Sequence, residues 1–269
     1  MKIRAITAFF FTLVMLASIF LGAYTFTFFY LLLSLLALME FYKLIKTSGI
    51  KPQVGIGLLS SGLIFLILAS HFFLKFDTRY LLLSIPLVFS VFISELYKKE
   101  ASPFGDISYT IIGLVYVTVP FCFFYALGFA FSDEGYNFHL PLSFLLMLWA
   151  SDTGAFLFGR KLGKTKLFER HSPKKSWEGF FGGVFTSVTV AIIISLFFKE
   201  ISMPVWIGMA VLVVTFGTLG DLVESMLKRS LNVKDSGNLL PGHGGLLDRF
   251  DGLLIAAPLV FTYLYLVLY

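Results

Sequence analysis

One cysteine and four histidines stand among 269 residues, and only 14% of the positions are charged. With Cys122 alone in an apolar run, an internal disulfide is excluded, and its thiol reads as a small buried side chain. The lack of cysteine and of clustered histidine leaves carboxylates as the stock of metal ligands, which favours a hard cation such as Mg²⁺. So few charges beside 58% hydrophobic and 18% aromatic residues would leave a soluble domain short of polar surface. With a mean hydropathy of +0.88, the composition is that of an integral membrane protein.

Nine apolar runs are present, at about 5–23, 25–42, 54–74, 80–97, 107–131, 140–158, 179–198, 203–223 and 250–269. A helical crossing needs about 20 such residues. The expected fold is therefore all-α and polytopic, with about nine transmembrane helices. The first run is longer than the apolar part of a signal peptide and reads as an uncleaved helix. Residues 1–104, with helices 1–4, are expected to form a scaffold, and residues 105–269, with helices 5–9 and their loops, the catalytic region.

Positive charge orients the chain. Of the 21 lysines and arginines, 18 fall in segments on the N-terminal side, leaving Lys75, Arg79 and Lys199 on the other. Such an asymmetry predicts a cytoplasmic N-terminus, cytoplasmic charged loops and a location in the cell inner (cytoplasmic) membrane. It also explains the net charge of +5 without nucleic acid, because the cations are confined to one membrane face. Glu40 and Glu95, near cytoplasmic helix ends, are expected to snorkel or to pair with Lys43 and Lys98.

Five carboxylates, at three of the apolar runs, stand out against the background. Asp152 lies inside the sixth run, where a lone carboxylate costs about 2.5–3.5 kcal/mol on insertion scales unless it faces water or a metal. Asp221 and Glu224 close the eighth run at i and i+3, sharing one helical face. Asp248 and Asp251 open the ninth with the same spacing. Counting and topology bring Asp152, Asp221 and Asp248 to the cytoplasmic boundary, where they can meet around one cation. Between the sixth and seventh runs, residues 159–177 carry seven cations, including Lys174 and Lys175. Pro173 suits a first helical turn capped by Ser172 or Ser176, and a helix start flanked by lysines suits phosphate. Glycines at 179, 182, 183, 217 and 220 would let helices 7 and 8 pack closely.

Residues 225–251 gather Lys228, Arg229, Lys234 and Arg249, which can neutralise phosphate oxygens. Gly242, Gly244 and Gly245 around His243 allow backbone N–H groups to approach an anion. Basic groups interleaved with carboxylates at this density suggest a metal–nucleotide site.

The pattern Ser225, Lys228, Arg229, Lys234, Asp235, Gly237, Pro241, Gly242, His243, Gly244, Gly245, Asp248, Arg249, Asp251 resembles the motif of bacterial phosphatidate cytidylyltransferases, the CDP-diacylglycerol synthases. The run Ser172-Pro173-Lys174-Lys175-Ser176-Trp177-Glu178-Gly179 is similar to a second run of that family. The motifs cover the C-terminal half; the first 140 residues are similar only in length and hydrophobicity. The resemblance implies CTP and phosphatidic acid as substrates, drawn from the cytoplasm and from membrane lipid, and CDP-diacylglycerol and pyrophosphate as products. It implies catalytic roles for Asp221, Asp248, Lys234, Arg249 and His243, with His243 as a hydrogen-bond donor. Lys174, Lys175, Ser176, Lys228, Arg229, Asp235, Gly242, Gly244 and Gly245 would bind substrate. Mg²⁺ would sit on Asp221 and Asp248, with room for a second cation and for Asp152, Glu224 or Asp251 as further ligands. A CTP-dependent polyprenol or phytol kinase and a transporter of phosphorylated solutes are the alternatives from the residues alone. Oligomeric state is not legible, and a homodimer is left open.

Overall fold

The computed structural model describes residues 2–99, 101–132, 134–237 and 244–269. Among them each of the nine apolar runs forms a helix: α1 (Lys2–Phe20), α2 (Ala23–Lys46), α3 (Val54–Leu74), α4 (Ser84–Glu95), α5 (Pro103–Leu127), α6 (His139–Leu162), α7 (Trp177–Phe197), α8 (Met203–Ser230) and α9 (Leu247–Leu268). Seven of them, α2, α3 and α5–α9, are long and apolar enough to cross a membrane. The protein is thus an all-α polytopic membrane protein, and among the described residues seven helices meet the length and composition of a span where about nine were expected. In α1 the apolar stretch is Phe9–Phe20. In the fourth run a 3₁₀ segment, Thr78–Leu83, precedes the 12 residues of α4. Pro86 accounts for the break, since it has no N–H to offer the carbonyl of Leu82. Large apolar side chains cover the outside, with Phe28 69% and Phe185 64% exposed, as contact with lipid requires.

The chain divides into two compact units, Met1–Tyr136 with Asp235–Asp248, and Asn137–Lys234 with Arg249–Tyr269. In the first, Phe26, Tyr30, Phe65, Phe124 and Tyr125 are fully buried and meet ring to ring, with Phe26 and Tyr30 centroids 4.6 Å apart and Phe65 and Tyr125 4.7 Å apart. Tyr42 runs between α3 and α5 because Gly57 and Gly113 leave room for its ring, and its hydroxyl donates to the Thr110 carbonyl at 2.8 Å. A π-helical turn, Leu114–Thr118, interrupts α5 just before Pro120. Proline removes the hydrogen bond to the Tyr116 carbonyl, and the widened turn absorbs that loss. Cys122 is buried and unpaired, as read from the sequence.

In the second unit, glycine sets the helix distances. A Cβ on Gly154 of α6 would fall 2.6 Å from the Gly182 carbonyl oxygen, and one on Gly179 of α7 would fall 2.9 Å from that of Ala155. The glycines of α7 therefore face α6, whereas Gly217 and Gly220 of α8 face Gly252 and Asp251 of α9. Between α6 and α7 lies an antiparallel hairpin of β1 (Lys166–Phe168) and β2 (Ser172–Ser176). Pro173 thus sits in a strand, not in a first helical turn. Its fixed φ suits an extended edge as well as a helix start, and cross-strand pairing decides between them. The helix begins after Ser176, whose hydroxyl accepts the Gly179 N–H at 3.2 Å in the expected capping role. Glu178 ties the hairpin down by accepting the Lys164 and Thr165 N–H groups at 3.1 and 3.0 Å.

Gly154→Val should destabilise the detergent-solubilised protein by about 1–3 kcal/mol, because the obstruction is backbone and cannot rotate away. Gly62→Ala, where a Cβ meets nothing within 4 Å, should leave the thermal midpoint unchanged or slightly raised. Thermal unfolding in micelles compares the two.

Candidate active site

The end of α8 and the start of α9 come close at glycines, with Leu148 of α6 against both Gly217 and Gly252. A Cβ on Gly217 would lie 3.9 Å from the Gly252 Cα, and one on Gly220 would lie 3.2 Å from it and 3.1 Å from the Asp251 carbonyl carbon. That approach brings the face carrying Asp221 and Glu224 against Asp251. One carboxylate oxygen from each of the three lies within 4.8 Å of the others, a grouping able to hold a metal ion.

Cations balance this negative charge. Lys175 Nζ lies 2.6 Å from Asp221 Oδ2 and 3.3 Å from the Thr218 carbonyl oxygen. Lys228 Nζ lies 2.5 Å from Glu224 Oε2, one turn along α8. Glu224 is only 1% exposed, and a carboxylate so enclosed needs a partner to remain ionised. Ser225 donates to Asp221 Oδ1 at 3.2 Å. Asp152 of α6 feels the charges of Lys175, Asp221 and Arg249, and Asp251 feels those of Asp221, Asp152 and Lys175. Four carboxylates and three cations of this unit thus act on one another. Of the expected trio Asp152, Asp221 and Asp248, the first two feel each other's charge; Asp221 groups with Glu224 and Asp251, whereas Asp248 is held by Ser236 and Gly245. Side chains alternate along a strand, so Lys175 turns toward α8 while Lys174 is exposed.

The segment after α8 closes with Asn232 at φ +55°, the Val233 N–H donating to the Lys228 carbonyl at 2.9 Å and Arg229 Nη1 donating to the Val233 carbonyl at 3.2 Å. Lys234 and Asp235 are exposed, as is Arg249. Pro241, Gly242 and His243 lie outside the described residues.

Asp248 is held on one edge by its own neighbourhood. Its Oδ2 accepts the Ser236 N–H at 3.0 Å and the Gly245 N–H at 2.8 Å, and lies 3.0 Å from the Ser236 Oγ, whose proton goes to Glu40. A carboxylate in the first turn of α9 also complements the helix dipole. Gly244 permits this arrangement twice over, since its φ of +83° suits glycine and a Cβ there would come within 2.6 Å of Asp248 Oδ2. The Gly245 amide, expected to face an anion, is given to Asp248 instead.

Glu40 departs from expectation. It does not pair with Lys43. It is buried at 7% exposure and accepts hydrogen bonds from the Ser236 hydroxyl at 2.6 Å and from the Leu246 and Leu247 N–H groups, both at 2.9 Å. The attraction of three donors, two of them at a helix start, outweighs one exposed lysine. A glutamate inside an apolar helix was the only sign of it in the sequence. Glu95 does pair with Lys98, at 3.1 Å.

A profile of the cytidylyltransferase family matches residues 2–267. Over 263 residues, 97% of each chain, the protein is 39% identical to the phosphatidate cytidylyltransferase of Staphylococcus aureus (strain COL). At the same coverage it is 36% identical to that of Staphylococcus haemolyticus and 37% identical to that of Staphylococcus epidermidis. With the match spanning both the apolar N-terminal helices and the carboxylate-bearing C-terminal ones, the chain belongs to the cytidylyltransferase family and is a membrane nucleotidyltransferase.

Proposed function

We propose that this protein transfers the cytidylyl group of CTP to phosphatidic acid, giving CDP-diacylglycerol and pyrophosphate for phospholipid biosynthesis. The observation that carries this reading is the grouping of Asp221, Glu224 and Asp251 beside Lys175 in a chain of this family. Relatives with names for that activity match it over nearly their whole length.

A phosphate oxygen of phosphatidic acid attacks the α-phosphorus of CTP in line. The new P–O bond forms as the bond to the β-phosphate oxygen breaks, and pyrophosphate leaves with that electron pair. Both reactants are polyanions, so the protein's task is neutralisation and alignment rather than proton transfer. Lys175, with Lys174, Lys228, Arg229, Lys234 and Arg249, supplies positive charge to triphosphate and lipid phosphate. The oxygen-only donor set of Asp221, Glu224 and Asp251 fits Mg²⁺, with Asp152 nearby. When bound, the ion would neutralise charge building on the phosphates. Asp248, one turn before Asp251 on α9, and His243 keep the metal-binding and hydrogen-bonding roles that the motif implies. The charge asymmetry supports a site at the cytoplasmic face of the inner membrane, where CTP is available.

In micelles with α-³²P-labelled CTP, phosphatidic acid and Mg²⁺, label should pass into the organic phase, stop with EDTA and resume with excess Mg²⁺. Label left in aqueous CDP would replace this reading with a lipid kinase. Asp221→Asn, Asp248→Asn and Asp251→Asn should each lower turnover by about 100-fold or more while keeping the elution profile of the folded protein. Lys175→Gln should lower kcat/KM by about 10²-fold. Lys43→Gln, an exposed change in α2, should stay within about twofold of the parent.

A further inference from the structure

We propose that Glu40 is a positioning residue of the active site, reaching from α2 to fix the start of α9 and, through Ser236, the carboxylate of Asp248. This inference rests on the transferase reading above for the activity it affects, and on geometry alone for the contact itself.

An α-helix begins with N–H groups that have no partner within the helix, and a Ser, Thr, Asp or Asn just before it commonly accepts one. Before α9 stand Gly244, Gly245 and Leu246, none of which carries an acceptor in its side chain. The missing acceptor comes from 206 and 207 positions upstream, as Glu40 takes the Leu246 and Leu247 N–H groups at 2.9 Å each. A full negative charge at that end also opposes the helix dipole favourably.

The same carboxylate governs Asp248. Ser236 gives its hydroxyl proton to Glu40 Oε1 over 2.6 Å and its N–H to Asp248 Oδ2 over 3.0 Å, so one residue spans the two acids. Steric fit makes the contact specific. A Cβ on Gly237 would lie 2.7 Å from Glu40 Oε2, and one on Gly245 would lie 2.6 Å from its Cδ. These two motif glycines leave the room that the Glu40 carboxylate fills. Glu40 touches no reacting group in this arrangement and acts through Ser236 and the amides of α9.

Glu40→Gln keeps the volume but sets an amide N–H₂ against donors. In the intact detergent-solubilised protein, hydrogen exchange at the Leu246 and Leu247 amides should rise by about 10-fold or more, with peptides of α6–α8 unchanged. Turnover should fall by about 10–100-fold, and the Mg²⁺ concentration for half-maximal activity should rise, while KM for CTP changes little. Gly237→Ala, which presses a methyl group on the carboxylate from the loop side, should give the same pattern. Unchanged exchange at both amides in Glu40→Gln would overturn the contact. Faster exchange with parental turnover and Mg²⁺ dependence would overturn the positioning role. If the parent protein moves no label into lipid, the transferase reading falls, and exchange at the two amides still decides whether Glu40 holds the start of α9.

Discussion

A carboxylate enclosed among apolar helices must be supplied with donors or cations, and that requirement shapes both units of this protein. Glu224 is nearly inaccessible and meets Lys228; Asp221 meets Lys175 and Ser225. Glu40 receives three hydrogen bonds, and Glu95 meets Gln53 and Lys98. Leaving any of these charges alone in a low-dielectric surrounding would cost several kcal/mol. The backbone is arranged so that none is left alone.

Small residues make the arrangement possible. Where α8 crosses α9 the chain offers Gly217, Gly220 and Gly252, and the backbones approach closely enough for Asp221, Glu224 and Asp251 to share a space one ion wide. Glycine has a second use around Glu40, where Gly237 and Gly245 leave the volume that its carboxylate fills. In lipid, helices gain little from hydrophobic burial against one another, so close packing and polar contacts have to bring them together. The same contacts that assemble the helices thus assemble the site.

Lys175 shows how local structure selects among similar residues. Lys174 and Lys175 read alike in the sequence, as a pair of phosphate-binding cations. In a strand they point to opposite sides, and Lys175 alone reaches Asp221. The charge of each was legible, but the side it serves depends on the hairpin between α6 and α7.

The sequence by itself determined the membrane class, the positions of nine apolar helices, the asymmetry of positive charge and the family, whose profile matches nearly the whole chain. It also led to the expectation that Asp152 and Asp221 lie near each other, and each feels the other's charge. These are properties of local hydropathy, helical spacing and composition, which survive without knowledge of packing. Tertiary structure alone decided that Pro173 lies in a strand, which of the candidate carboxylates group with Asp221 and that Glu40 serves the start of α9. Each depends on which groups compete for a hydrogen bond or a volume across the fold. Glu40 and Leu247 are 207 positions apart, and no spacing rule links them. Their contact exists because α2 and the loop before α9 pack against each other with two glycines at the point of closest approach.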